Sequence, residues 1–330
     1  MQTRRLGRSG PEVSALGLGC MAMSGTYGPA DRAAAIATIH TALDAGITLL
    51  DTGDFYGMGH NELLIAEALR GVPRDSYLLS VKFGAQRDPA GGWLGNDTRP
   101  NAVKTSLAYT LQRLGTDYVD VYRPARLDPQ VPIEDTVGAI AECVAAGWVR
   151  YIGLSEVGAD TLRRASAVHP ICDLQIEYAL TTRNVERAVL PACRELGIGV
   201  TAYGVFGRGL LTGGWQPGPL APGDFRAHTP RFQGEAGERN LEVAARIAEV
   251  AADFGLSAGQ LVLAWVLARG DDIVPLVGAR RPQRVTEAVA ALAASLSADQ
   301  LARIEATIPP DAITGERYAP AQMAMLDSER

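Results

Sequence analysis

The chain has 330 residues, of which 47% are hydrophobic, and carries a formal net charge of −6. This length and apolar content suit one large domain or two ordinary ones, and we expect a single domain over residues 1–330 because no linker divides the chain. The acidic balance provides no electrostatic footprint for nucleic acid. No apolar run approaches the roughly 18 residues of a membrane span, and the N-terminal residues lack the apolar segment of a signal peptide, so we expect no membrane association and a cytoplasmic location.

The four cysteines are scattered along the chain without CxxC spacing, at Cys20, Cys143, Cys172 and Cys193. This spacing argues against a disulfide framework and against a zinc site. No other cluster of potential ligands is visible in the sequence, so we predict that the protein needs no metal.

Short apolar runs alternate with longer amphipathic segments almost to the C-terminus, a rhythm typical of parallel strands joined by helices. Eight runs are predicted to be strands, at residues 14–20, 47–52, 77–83, 119–123, 151–156, 172–178, 199–204 and 272–278. Helical patterns between them include residues 31–46, 61–71, 101–115, 133–147 and 185–197. Eight such units favour the α/β class and a (β/α)8 barrel. A doubly wound open sheet is the alternative, which we disfavour because no GxGxxG motif opens the first helix.

Two segments fall outside this rhythm. Residues 4–17, RRLGRSGPEVSALG, are predicted to form an N-terminal β-hairpin that turns between Gly7 and Pro11 and closes the amino end of the barrel. Residues 213–233, between the seventh and eighth strands, are rich in proline and glycine. A loop of this length is usually functional or mobile.

The stretch LLDTGDFYG, at residues 49–57, places Asp51 and Tyr56 after the second predicted strand, while Lys82 lies at the end of the third. The carboxyl ends of barrel strands face a shared pocket. A lysine in an apolar strand is costly to bury unless a carboxylate pairs with it, and Asp51 is the nearest candidate. We expect the Lys82 ammonium to lower the pKa of Tyr56 from about 10, which would make it an acid/base tyrosine. Taken singly, the three could instead be a turn residue, a rim aromatic and a surface charge.

The motif LDTGDFYGMGHNE is followed in order by SVKFG, RLGTDYVDVY, YIGLSE, LQIEY, AYGVFGRGLLTG and VPLVGARRPQRVTEA. This series resembles the aldo-keto reductase superfamily over essentially the whole chain. The opening GLGCMAMSGTYG and the ending GERYAP resemble its microbial members with broad carbonyl substrates. The resemblance implies a (β/α)8 barrel that binds NADPH without a Rossmann domain and transfers hydride to an aldehyde or ketone.

The catalytic tetrad of that family is Asp, Tyr, Lys and His, and the first three match Asp51, Tyr56 and Lys82. Relatives commonly read QHRVDP after the fourth strand, where this chain reads PARLDP, and Ala125 therefore occupies the histidine position. Alanine cannot hydrogen-bond a substrate carbonyl. Three functions remain open: carbonyl reduction with Tyr56 alone as the acid, reduction of a C=C or C=N bond, and NADPH binding by a partner or sensor protein with eroded catalysis.

No other residue is an obvious substitute for the histidine. His60 and His228 lie in loops, where we expect them to be solvent-exposed. Arg126 is a conceivable donor, although it could equally pair with Asp128. Trp93, in a glycine-bounded loop, could line a substrate pocket or cover the barrel rim.

The resemblance also assigns cofactor-binding positions. Ser155 and Gln175 match residues that hydrogen-bond the nicotinamide carboxamide, and these side chains supply the donor and acceptor that a carboxamide needs. Tyr203 matches the aromatic that stacks on the nicotinamide ring. Gly207 and Arg208 match the loop that passes the pyrophosphate.

The segment after the eighth strand is a predicted anion site at the start of a helix. Its glycine and arginines are Gly278, Arg280, Arg281 and Arg284. The resemblance implies that Arg280 and Arg284 hold the 2′-phosphate, which favours NADPH over NADH. It also implies an adenine contact at Glu287, next to Ala288, where relatives commonly have Asn. The expected partner is a small-molecule carbonyl compound of unspecified identity, and an oligomer is compatible with this sequence.

Overall fold

The structure is a computed structural model that describes residues 1–329. The strands are β1 (Thr3–Arg5), β2 (Glu12–Ser14), β3 (Gly17–Gly19), β4 (Leu49–Gly53), β5 (Leu78–Phe83), β6 (Ala85–Arg87), β7 (Trp93–Asn96), β8 (Val119–Pro124), β9 (Val149–Ser155), β10 (Ile171–Glu177), β11 (Gly199–Tyr203) and β12 (Ile273–Gly278). The helices are α1 (Arg32–Asp44), α2 (His60–Ala68), α3 (Pro100–Leu114), α4 (Ile133–Ala145), α5 (Ala159–Val168), α6 (Val189–Leu196), α7 (Gly234–Asp253), α8 (Ala258–Leu267), α9 (Pro282–Ala290), α10 (Ala298–Thr307) and α11 (Pro320–Met323).

Eight parallel strands close into a barrel in the order β3, β4, β5, β8, β9, β10, β11 and β12, and β12 pairs back onto β3. Each of them overlaps one of the eight strand predictions. The barrel prediction is confirmed, and the open-sheet alternative is wrong. The strands read as apolar runs because helices cover their outer face while side chains fill the interior.

The predicted N-terminal hairpin is also confirmed. β1 and β2 pair antiparallel, with Thr3 opposite Ser14. Leu6 and Val13 are buried against side chains that fill the inside of the barrel. Gly7 has a φ of +66°, and a Cβ there would come 2.4 Å from the Cys172 carbonyl oxygen, so the close approach of this turn to the barrel requires glycine. The hairpin therefore closes the end opposite the strand carboxyl ends.

The helix predictions agree with the structure to within a few residues, apart from the last one. Asp31 caps α1 by accepting a hydrogen bond from the backbone of Ala34 at 2.7 Å, and Gly115 ends α3 in the left-handed conformation. The predicted helix at 185–197 begins only at Val189, because residues Asn184–Glu186 form a separate 3-10 turn.

The loop predicted around Trp93 is partly a strand. β6 and β7 pair antiparallel beyond the end of β5, with Gln86 opposite Gly95. Gly91 and Gly95 have positive φ, which permits the tight return of the chain. This small hairpin projects Trp93 over the carboxyl end of the barrel.

The long segment at 213–233 is anchored to the barrel by buried aromatic side chains. Trp215 and Phe232 are both buried and pack edge to face with ring centres 5.1 Å apart.

Within residues 1–329 no single helix is long and apolar enough to cross a membrane; α7 and α8 reach that length and composition only when taken together, and they meet at 83°.

Candidate active site

The carboxyl ends of the barrel strands surround a cavity of about 1100 Å³. Its wall includes Asp51, Tyr56 and Lys82, and also Arg280 and Arg284 at the start of α9. One cavity therefore contains the predicted catalytic residues and the predicted phosphate-binding arginines. Most of the other predicted cofactor residues line it as well, namely Ser155, Gln175, Tyr203, Arg208, Gly278 and Glu287.

The expected ion pair between Asp51 and Lys82 is present, and both side chains are buried. The register of β4 and β5 places them together, since Asp51 lies opposite Ser80 and Gly53 opposite Lys82. Asp51 also accepts hydrogen bonds from Ser80 at 2.8 Å and from the Gln175 amide at 2.7 Å. Both carboxylate oxygens are thus satisfied, which is what allows a charged pair to be buried here.

The polar network continues below this pair through residues that the sequence analysis did not single out. Arg123 donates to Ser80 at 2.8 Å and pairs with Asp173 at 2.9 Å, and Thr201 donates to Asp173 as well. Arg123 and Asp173 are fully buried. The signal was visible in the sequence, because both are charged residues within otherwise apolar strands.

Tyr56 lies beside Lys82, but the predicted effect of Lys82 on its pKa is wrong. Burial raises the pKa of Tyr56 well above its usual value, the Asp51 carboxylate raises it further, and the Arg126 guanidinium opposes both. The Lys82 ammonium lies 5.1 Å from the centre of the Tyr56 ring. Since Asp51 already neutralises Lys82, little of its field remains to favour the phenolate. Tyr56 is therefore a firmly protonated phenol at neutral pH.

Ala125 follows β8 and lines the cavity, and its backbone amide donates to Phe83 at 2.8 Å. His60 and His228 are exposed, as expected, and His228 lines the cavity from the long loop. The other two histidines of the described chain contact backbone carbonyls outside the cavity wall: His40 bonds Ala68 and His169 bonds Pro170.

At the nicotinamide-binding positions, the three predicted residues have different partners. The Ser155 hydroxyl makes no hydrogen bond within residues 1–329, whereas the Gln175 amide contacts Lys82 at 3.0 Å and Asp51. The Tyr203 hydroxyl donates to Glu156 at 2.6 Å. Their carboxamide and stacking roles stay predictions.

The predicted pyrophosphate loop has one residue in the cavity wall and one behind it. Arg208 lines the cavity with a φ of +57°, donating to the Arg317 carbonyl at 2.6 Å and pairing with Glu177 at 3.3 Å. Gly207 is absent from the cavity wall; its φ is also +57°, and a Cβ there would come 2.9 Å from the side chain of Leu211. We infer that Gly207 shapes the turn.

At the start of α9, the arginines differ in how they are held. Arg280 donates to the backbone carbonyls of Tyr27 at 3.1 Å and Pro29 at 3.2 Å. Arg284 pairs with Glu287 at 2.8 Å. Arg281 is exposed at the cavity wall and makes no ion pair or hydrogen bond with its side chain in the described part of the chain.

A buried ion cluster ties the C-terminal segment to the barrel, and it has no counterpart among the predicted site residues. Arg317 pairs with Glu156 at 2.8 Å and with Glu177 at 3.4 Å. Glu156 is fully buried with a φ of +53°; burial opposes its ionisation, but Arg317 holds its pKa well below the usual range. Tyr318, next along the chain, lines the cavity and bonds the Tyr203 hydroxyl at 2.8 Å. The motifs YIGLSE, LQIEY and GERYAP contained the signal, as charges at the ends of apolar strands and in the C-terminal segment.

Comparisons with known proteins agree with this architecture. Residues 15–309 match the model of the Aldo/keto reductase family. The chain is 40% identical to probable aldo-keto reductase 1 of Glycine max, over 96% of this chain and 92% of that protein. It is 39% identical to the Schizosaccharomyces pombe protein named aldo-keto reductase yakc, NADP(+), over 96% of this chain and 94% of that one.

Two solved structures are also similar. The glycerol dehydrogenase AKR11B4 from Gluconobacter oxydans superposes with a TM-score of 0.83 at 27% identity, over 96% of this chain and 99% of that one. The thermostable aldo-keto reductase Tm1743 superposes with a TM-score of 0.73 at 28% identity, over 93% and 100% of the two chains. The chain therefore belongs to the aldo/keto reductase family and is an oxidoreductase.

Proposed function

We propose that this protein is an NADPH-dependent reductase that converts an aldehyde or ketone to an alcohol, with Tyr56 as the general acid. The observation that carries the proposal is the shared cavity, whose wall includes Asp51, Tyr56 and Lys82 as well as Arg280 and Arg284. A site for hydride transfer needs a proton donor and an anchored dinucleotide in one enclosure.

The side chains divide the work as follows. Tyr56 donates its phenolic proton to the carbonyl oxygen, and its raised pKa keeps that proton in place at neutral pH. Asp51 holds Lys82 buried beside the Tyr56 ring, which fixes the position of the ring. A nicotinamide cofactor supplies the hydride when bound.

The residues present suit such a cofactor. The Ser155 hydroxyl, which has no partner within residues 1–329, is free to bond a carboxamide. The Arg281 guanidinium also has no hydrogen-bond or ion-pair partner within residues 1–329. It adds to the positive charge of Arg280 and Arg284 at the first turn of α9, and this combined charge suits a phosphate.

The test is NADPH oxidation against a panel of aldehydes and ketones. We expect Tyr56→Phe to lower kcat/KM by about 10²- to 10⁴-fold, because the general acid is removed, with NADPH binding nearly intact. Tyr27→Phe is the matched control, since it removes another phenol from the same cavity wall. Full activity in Tyr56→Phe would contradict the assignment.

The methyl group of Ala125 in the cavity wall favours a second candidate, a reductase of C=C or C=N bonds, because it leaves the carbonyl without an imidazole donor. Enones and cyclic imines in the panel distinguish this candidate by the product formed. NADPH binding without turnover of any compound would favour the third alternative, a partner or sensor protein.

A further inference from the structure

Arg126 is a half-buried arginine in the cavity wall that makes no ion pair within residues 1–329. Its side chain donates to the Ala125 carbonyl at 2.7 Å and approaches the Tyr318 hydroxyl at 3.4 Å. A guanidinium carries five N–H donors, so these two bonds leave donors for a ligand in the cavity.

The structural partner that the sequence suggested for Arg126 is engaged elsewhere. The Asp128 carboxylate accepts hydrogen bonds from the backbone of Gln130 at 2.9 Å and of Thr98 at 3.4 Å, and none from Arg126. Glu156 is the acidic residue whose charge acts on Arg126, but it is already paired with Arg317. Among the described residues, Arg126 thus has no carboxylate partner of its own.

Three other cations around this cavity have a carboxylate partner, whereas Arg280, at the start of α9, contacts only backbone carbonyls. The pairs are Lys82 with Asp51, Arg208 with Glu177, and Arg317 with Glu156. Buried charges are normally paired in this way, because removing an unpaired charge from water is costly. A half-buried guanidinium that lacks such a partner and faces a cavity is suited to an anionic ligand.

Arg126 lines the same cavity as the proposed proton donor, Tyr56. Burial raises the pKa of Tyr56, and Arg126 is the cation that opposes this shift most strongly. Ala125, directly before Arg126, contributes only a methyl group to the wall. A substrate whose carbonyl oxygen reaches Tyr56 can therefore place an anionic group against Arg126 within the same cavity.

We propose that Arg126 binds a substrate carboxylate and that the substrate class is the 2-oxo acids, in which the carboxylate is bonded directly to the reacting carbonyl carbon. A planar guanidinium can bond one carboxylate oxygen and the adjacent carbonyl oxygen together. It would also stabilise the negative charge that develops on the carbonyl oxygen. Ala125 leaves the site without a histidine imidazole for this role.

This assignment rests on the proposed function, because it names the substrate of the same site. The carbonyl π bond breaks, the carbon gains the hydride that the cofactor supplies, and the oxygen gains the Tyr56 proton. The product is a 2-hydroxy acid, the carboxylate is unchanged, and solvent returns a proton to Tyr56.

The test compares phenylglyoxylate with its methyl ester, two ketones that differ in the charge of one group. We expect the enzyme to prefer the acid in kcat/KM and Arg126→Gln to lower that preference by about 10- to 100-fold, mainly through KM, because charge-assisted hydrogen bonds are lost. Arg126→Lys keeps the positive charge but lacks the planar pair of guanidinium N–H donors, so it should retain part of the preference for the acid. Arg87→Gln is the control: it removes another cavity arginine, which stacks on Trp93, and should leave the preference in place.

A binding measurement separates this proposal from the proposed function. Calorimetry of phenylglyoxylate with NADP+ present should show weaker binding to Arg126→Gln than to the parent, whether or not turnover occurs. If neither these two ketones nor any compound of the aldehyde and ketone panel is reduced but this difference is found, the reductase assignment fails and the anion site stands. If the ketones are reduced and Arg126→Gln changes neither the preference nor the affinity, or if Arg87→Gln changes them equally, the anion site is wrong.

Discussion

Asp54, two residues before Tyr56, is a half-buried carboxyl group without an ion-pair partner in the described chain. Burial and the nearby Glu62 charge raise its pKa to about 7 from the usual 3.8. The folded state therefore holds a proton that the unfolded state releases at lower pH. The stability that Asp54 contributes is complete below pH 4 and is lost as the pH rises through about 7.

We expect Asp54→Asn to remove this pH dependence, because the amide is neutral at every pH. Between pH 5 and pH 8 the unfolding free energy of the parent should fall, because Asp54 ionises, while Asp54→Asn lacks this contribution. The difference between variant and parent should therefore grow by about 2 kcal/mol over this range, a value that allows for the partial exposure of Asp54. Urea unfolding at both pH values measures the gain. Asp75→Asn, at an exposed carboxylate, is the control. An identical gain in both variants would show that burial of Asp54 is not the cause.

Among the elements, the C-terminal segment is anchored to the barrel by a buried ion cluster. Tyr318, Gln322, Met325 and Leu326 line the cavity, so this segment forms part of the cavity wall. One of its attachments is Arg317, which is buried between carboxylates from the ends of β9 and β10.

Replacing the buried cation should release this segment. We expect Arg317→Met to cost about 3–5 kcal/mol, because Glu156 would remain buried without its partner. Proteolysis near the C-terminus should become faster, and KM for the carbonyl substrate should rise. Glu329→Gln is the matched control, since it removes the partner that is 21% exposed and leaves the Glu156 pair intact. Equal proteolysis rates in Arg317→Met and the parent would show that the cluster does not anchor the segment.

At the scale of the whole molecule, the barrel and the buried ion pair of Asp51 and Lys82 were predictable because they follow from local patterns. Apolar runs mark the strands, and the order of Asp51 and Lys82 on consecutive strands is enough to bring them together at one end of the barrel. The ion cluster was not predictable in this way, since Glu156 and Arg317 are 161 residues apart and no periodicity links them. The pKa of Tyr56 also depends on burial, which a motif does not report. The strand at Trp93 was missed because glycines surround it.

Cofactor binding should also raise the unfolding free energy of the whole chain, since a ligand that binds only the folded state stabilises that state. NADPH at 100 times its Kd should add about 2.7 kcal/mol to the unfolding free energy. We expect Arg284→Gln to reduce this gain for NADPH and to leave the gain for NADH unchanged, because NADH lacks the 2′-phosphate that a guanidinium would bind. Thermal unfolding with each nucleotide measures both gains. Arg303→Gln, which removes an exposed arginine paired with Asp253 outside the cavity wall, is the control. If Arg284→Gln weakens the response to both nucleotides equally, Arg284 contributes to the site without selecting the phosphate, and the preference for NADPH must come from another residue.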